Sequence, residues 1–255
     1  MRKPAAFFPI ALALGAITLA PWASAQAQDS RQEGPIEIEK CWTIDKPGSY
    51  KLVNNLTFTA DTGACLQITV SSVTIDLAGF TISGPGNGSP NNSNFGIRAI
   101  FSPGQVLEGL AVRNGSISGF RTGVDLGLGG SVVEGLHVFG GGFNGGGGIF
   151  AVGIVRGNIV VDIGGGSGAG IGIDAIGIVT GNYVTNIGAL GMDIGAGSTV
   201  IGNTVTHSGG IPPVPAISVT CPSNVTDNTS VNNNPGAPNL SLFGNGCNDT
   251  NNVAP

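Results

Sequence analysis

Gly157-Asn158-Ile159-Val160-Val161, Gly181-Asn182-Tyr183-Val184-Thr185 and Gly202-Asn203-Thr204-Val205-Thr206 share one frame, and Asp227-Asn228-Thr229-Ser230-Val231 continues it. Successive asparagines lie 24, 21 and 25 residues apart. Upstream, Gly109-Leu110-Ala111-Val112 and Gly135-Leu136-His137-Val138 keep the frame with leucine in place of asparagine. A second register runs beside it: Ile97-Arg98-Ala99, Val124-Asp125-Leu126, Ile149-Phe150-Ala151, Ile173-Asp174-Ala175, Met192-Asp193-Ile194 and Ile217-Ser218-Val219, recurring every 19 to 27 residues. The outer members of each triplet are apolar and the middle one usually is not. That alternation has the period of a strand with one buried face, so the middle residues form an outward column. A unit of this length, repeated, is one turn of a solenoid.

Composition selects the kind of solenoid. The chain has 45 glycines in 255 residues and only 10% charged residues, with 41% hydrophobic and a mean hydropathy of +0.28. Hydrophobicity at that level is incompatible with a disordered linker. From Gly79 to Pro222 no more than six consecutive residues lack Gly or Pro, too few for a helix. A leucine-rich repeat needs aligned leucines and a helical or extended half-repeat, and a propeller blade needs about 40 residues with a Trp-Asp signature. Neither pattern is present. What remains is a parallel β-helix, in which short strands joined by Gly and Asn turns stack at ~4.8 Å and bury β-branched side chains in columns.

The stretch Ser72-Val73-Thr74-Ile75-Asp76-Leu77-Ala78-Gly79-Phe80-Thr81-Ile82-Ser83-Gly84, followed by the Gly-Asn coils, resembles the secreted bacterial right-handed parallel β-helix repeat proteins of the pectate-lyase-like superfamily. The resemblance covers roughly residues 47–255. It implies an asparagine ladder, matched by Asn158, Asn182, Asn203 and Asn228, in which each amide donates to the side-chain oxygen of the next coil and tolerates a left-handed backbone. The expected fold is all-β: a right-handed parallel β-helix of about seven coils with disulfide-tied ends. Right-handedness also follows from the rule for parallel crossovers.

Cys41, Cys65, Cys221 and Cys247 form one pair near each end. Three pairings are formally possible, and the spacing favours Cys41–Cys65 with Cys221–Cys247. No CxxC occurs and His137 and His207 are the only histidines, so a zinc site has no ligand set. Residues 1–27 start with Arg2 and Lys3, run apolar from Phe7 to Ala20 and end in Ala23-Ser24-Ala25-Gln26-Ala27, the pattern of a secretory signal peptide. The expected layout is therefore a signal peptide 1–27, a polar lead-in 28–35, an N-terminal cap 36–70, and a parallel β-helix with its C-terminal cap 71–255. Pro85–Asn94 is expected as a polar loop between coils. The protein is expected to be secreted or periplasmic, in an oxidising compartment, with no membrane span after signal cleavage. Cleavage leaves 8 basic and 15 acidic residues, and no Lys follows Lys51. No basic stripe exists to neutralise phosphates, which argues against nucleic acid as a partner. The sequence sets no oligomeric state.

The resemblance implies work on acidic polysaccharide from a groove on the flank. The family's lyase signatures (Trp-Ile-Asp-His, Arg-x-Pro-x-x-Arg) and polygalacturonase set (Asn-Thr-Asp, Asp-Asp, Gly-His-Gly, Arg-Ile-Lys) are absent. Candidate chemistry therefore rests on the outward column. Asp174 and Asp193 fall on adjacent coils, near the ~5 Å carboxyl separation of retaining glycosidases, and Asp125 lies two coils from Asp174, at the ~9–10 Å where inverting enzymes hold a water. Asp125, Asp174 and Asp193 are the catalytic candidates, for a lyase or a hydrolase. Asp174 and Asp193 double as candidate ligands for calcium, which takes oxygen donors. Arg98, Phe150 and Tyr183 are the candidate substrate contacts. The alternative is a non-catalytic structural or surface-interaction solenoid. His207, in frame with Asp162 and Asn186, reads as a turn residue. A Thr-x-Thr ice-binding face would need a ladder, and Thr204 with Thr206 is one rung.

Overall fold

The computed structural model describes residues 34–86, 93–102, 104–141, 145–164, 170–210 and 213–255. The expected signal peptide, most of the lead-in and the centre of the 85–94 loop lie outside these. Twenty-three strands are described, all joined in parallel pairings into one continuous ladder. The chain winds as a solenoid of about eight turns, one more than expected. The extra turn comes from 36–70: Ile36–Ile38 pairs with Gly48–Leu52, and Trp42–Ile44 pairs with Thr62–Ile68, so stacking begins at Ile36. That stretch lacks the Gly-Asn frame, and its register was not legible from the repeat.

Each turn has three faces. The strand Gly147–Arg156 illustrates the first two, pairing at its start with Thr122–Asp125 and at its end with Ser131–Gly141. After the bend at Gly157 and Asn158, Ile159–Ile163 supplies the third. The first face carries the predicted inward column, Ile97, Val124, Ile149, Ile173, Met192 and Ile217, extended by Leu66 on the coil before; all follow one another in register, each buried. The second face contributes Ile75, Val112, Val133, Val155, Val179, Val200 and Val225. The third contributes Ile82, Ile117, Val138, Val160, Val184 and Val205. Burying one such side chain contributes about 1.5–3 kcal/mol, and each coil from Leu66 to Val205 supplies at least three.

The core is narrow, and a column of glycines sets its width. Gly96, Gly123, Gly148, Gly172 and Gly191 each precede a member of the first-face column. A Cβ on Gly148 would lie 2.6 Å from the Gly172 carbonyl oxygen and 2.6 Å from Val160 Cγ1, and one on Gly172 would lie 2.5 Å from the Gly191 oxygen. In these five coils a residue without a side chain lets the first face close onto the third, whereas Cys65 and Ala216 hold the same position in the coils on either side.

The asparagine ladder is present and has a fifth rung, Asn252. Asn158, Asn182, Asn203 and Asn228 each donate Nδ2 to the Oδ1 of the next asparagine at 2.9–3.0 Å. Each also donates Nδ2 to a valine carbonyl of the coil before, as Asn203 does to Val179 at 2.9 Å. The backbone N–H of each donates to the same Oδ1. These amides are buried and satisfied. The left-handed residue is not the asparagine but the one before it: Gly157, Gly181, Gly202, then Asp227 and Asn251, all at φ 55 to 63°. Glycine adopts that conformation without strain, and Asp and Asn tolerate it. A second left-handed column, Asp162, Asn186, His207 and Asn232, closes the third face.

Both disulfides pair as the spacing favoured, Cys41–Cys65 and Cys221–Cys247. Each ties an end coil to its neighbour. Among the described residues no helix is long and apolar enough to cross a membrane.

Candidate functional site

The outward column of the first face runs Gln67, Arg98, Asp125, Phe150, Asp174, Asp193, Ser218, Ser241 in unbroken register. Five of the six candidate site residues are therefore brought into one line. Tyr183 is not among them: it sits on the third face between Ile159 and Thr204, because alternation tells inside from outside but not which of three outer faces a residue joins.

Beside this line, across the glycine corner, runs a second column of Phe95, Thr122, Gly147 and Ile171. Where Gly147 contributes no side chain, the two columns part into a groove of about 200 Å³, lined among others by Phe95, Arg121, Asp125, Phe150, Ile171 and Asp174. The run from Gly145 to Gly147 lines the gap. Asp193 does not line it, so the groove selects Asp125 and Asp174, two strand spacings apart at about 9–10 Å, rather than the adjacent pair Asp174 and Asp193. Phe150 stands between the two selected carboxyls.

Arg98, expected as a substrate contact, is not among the residues that line the groove and instead packs against two that are. Its guanidinium lies 4.1 Å from the centroid of the Phe95 ring, and its Nε is 3.7 Å from Asp125 Oδ2. Asp125 also accepts the Gly127 N–H at 3.2 Å. Burial pushes the Asp125 carboxyl above its ordinary value, opposed by Arg98 and by the Gly127 hydrogen bond. Asp174 has no such cation. Burial, then the charges of Asp193 and Asp125, push it up to about 6, as expected when like charges share a partly desolvated face. A carboxyl of this kind holds its proton into the mildly acidic range and can deliver it.

The pair Asp174 and Asp193 does not grow into a larger ligand set: among the described residues no group of three or more His, Cys, Asp or Glu is placed to hold a metal. His207 belongs to the left-handed turn column, in which Asn186 Nδ2 donates to Asp162 Oδ1 at 2.5 Å. Phe95, Arg121, Thr122 and Ile171 are lining residues that the repeat did not single out. The signal was there in the spacing of Phe95, Thr122 and Ile171, three residues ahead of the outward column on each coil, with Arg121 one residue before Thr122, and only the folded corner turns that spacing into a wall.

No family model matches the chain, and no curated protein matches it. Among solved structures it is similar to the A-module of the mannuronan C-5 epimerase AlgE4 of Azotobacter vinelandii, at 8% identity and a TM-score of 0.41, over 84% of this chain and 80% of that one.

Proposed function

We propose that this is an exported β-helix protein that binds and processes polysaccharide in the groove between the Asp125–Asp174 stretch of the outward line and the Phe95–Ile171 column. The observation that carries the reading is the placement of Phe150, an apolar platform, between two partly buried carboxyls, of which Asp125 has a cation beside it and Asp174 has two like charges. A sugar ring laid on Phe150 meets Asp125 on one side and Asp174 on the other. Asp174 then serves as the proton donor and Asp125 as the carboxylate, the division of labour of an inverting hydrolase at this separation. Arg98 acts through Asp125, whose charge it balances. Calcium held by Asp174 and Asp193 would keep Asp174 ionised and so would compete with its role as proton donor. Export rests on the signal-peptide pattern of 1–27 and on two disulfides, which persist in oxidising compartments.

The test is a panel of acidic and neutral polysaccharides, with and without calcium, assayed for binding and for cleavage. Phe150→Ala is expected to weaken binding at least tenfold. Asp174→Asn is expected to keep binding and lose turnover by a factor of about 10² to 10⁴, the usual worth of a general acid. Retained turnover in Asp174→Asn excludes the catalytic assignment. A second reading, a non-catalytic surface-interaction solenoid, is favoured by the exposed aliphatics Ile176, Ile178 and Ile201 on the second face. It predicts glycan binding unchanged by Phe150→Ala.

A further inference from the structure

The second face carries an outward column whose register reads Glu37, Lys51, Asp76, Arg113, Glu134, Arg156. The charge alternates in sign at every step. Two of its pairs are in direct contact: Arg113 Nε lies 3.4 Å from Asp76 Oδ2, and Arg156 Nε donates to Glu134 Oε2 at 2.6 Å. Above Arg156 the same column turns neutral, as Thr180, Ile201, Thr226 and Thr250. The asparagine ladder begins two residues after Arg156, at Asn158, and runs to the far end. The charge inventory breaks at the same point. Residues 34–156 hold seven Lys and Arg against eight Asp and Glu, whereas residues 157–255 hold five Asp and no Lys or Arg.

We infer that the solenoid consists of two segments with opposite responses to ionic strength, a charge-laddered segment ending at Arg156 and an amide-laddered segment beginning at Gly157. In the first, attractive pairs stand on exposed ground, where added salt screens them. In the second, the stacking groups are buried neutral amides, and the charges are all of one sign. Asp174 and Asp193 stand one strand spacing apart, so salt screens a repulsion there. The groove spans the junction, taking Asp125 and Phe150 from the first segment and Asp174 from the second. Ionic strength therefore loosens one end of the groove while it firms the other.

Hydrogen–deuterium exchange on the full, disulfide-intact chain at pH 7.5 reads this directly, comparing about 10 mM with about 0.5 M NaCl, a change that shortens the screening length from roughly 30 Å to below 8 Å. Amides of Val73–Asp76 and Leu110–Ser118 are expected to exchange about two- to five-fold faster at high salt, the range set by exposed ion pairs. Those of Tyr183–Ile187 and Thr204–Thr206 are expected to hold or slow. Sucrose at matched osmolarity should reproduce neither change. A shift of both segments in the same direction overturns the inference. Glu134→Gln, which removes the partner of Arg156, is expected to abolish most of the salt response of its own strand, Ser131–Gly141, while Asn203→Ala speeds exchange at Thr204–Thr206 equally at both salt levels. A salt response that survives Glu134→Gln undiminished also overturns it.

Discussion

Asn203 shows how one residue type holds adjacent coils together. Its Oδ1 accepts from the backbone and side chain of Asn182, and its Nδ2 donates to Val179 and Asn228. Asn203→Ala strands the Asn182 N–H and the Val179 carbonyl in the interior, at about 1–3 kcal/mol for each unpaired group. Urea unfolding is expected to report a loss of about 2–5 kcal/mol, and a loss under 1 kcal/mol would show that the ladder is ornamental. Asp174 makes the opposite statement. Its folded pKa of about 6 lies above the ordinary 3.8, so the folded chain binds the proton more tightly than the unfolded one. Stability from this group is present below about pH 4 and is lost as pH rises through about 6. Asp174→Asn is expected to raise the melting temperature at pH 7.5 and leave it unchanged near pH 3.5. A site that costs stability at neutral pH is consistent with retention for function.

The coil is the element of this fold, and its glycines are its least forgiving positions. Gly172→Ala places a Cβ against the Gly191 oxygen at 2.5 Å and Val184 Cγ1 at 2.7 Å. The faces must separate, at about 1–3 kcal/mol or more, and thermal unfolding is expected to show it. Gly181→Ala meets open space but a φ of 62°, and costs about 1 kcal/mol through conformation alone. Much of the coil was legible in the sequence. Apolar residues at period two marked the inward column from Ile97 to Ile217, and four Gly-Asn or Asp-Asn bends marked the ladder. Asn252 escaped because its bend residue is Asn251, not glycine, and the following strand is reduced to a bridge at Val253. The turn formed by 36–70 escaped because its inward residues, Ile38, Ile44, Tyr50 and Leu52, keep no fixed spacing from a turn signal. The line from Arg98 to Asp193 was readable from register alone. Its partner column was not, since Phe95 and Ile171 become walls only where the chain bends at Gly96 and Gly172.

A molecule made of stacked coils is held by nearest neighbours, so its ends are where it opens. The two disulfides close sequence separations of 24 and 26 residues, each worth about 3 kcal/mol by loop entropy. Replacing Cys221 and Cys247 with Ser is expected to raise amide exchange in Leu240–Phe243 and Asn248–Thr250 at least tenfold while leaving Ile171–Thr180 unchanged. Uniform loss of protection would mean that the solenoid unfolds as one unit. The central coils, which carry the groove, are thereby kept from the fraying ends, and the glycan reading depends on that rigidity. Its core is that Asp174 is a proton-holding carboxyl inside a sugar-binding groove. Carbonyl-carbon NMR titration of the Asp174 side chain, in the free protein and in the presence of a glycan from the panel, tests this most directly. The account predicts a midpoint near 6 that shifts when the glycan is added. A midpoint in the ordinary carboxylate range, unmoved by any glycan, would contradict it.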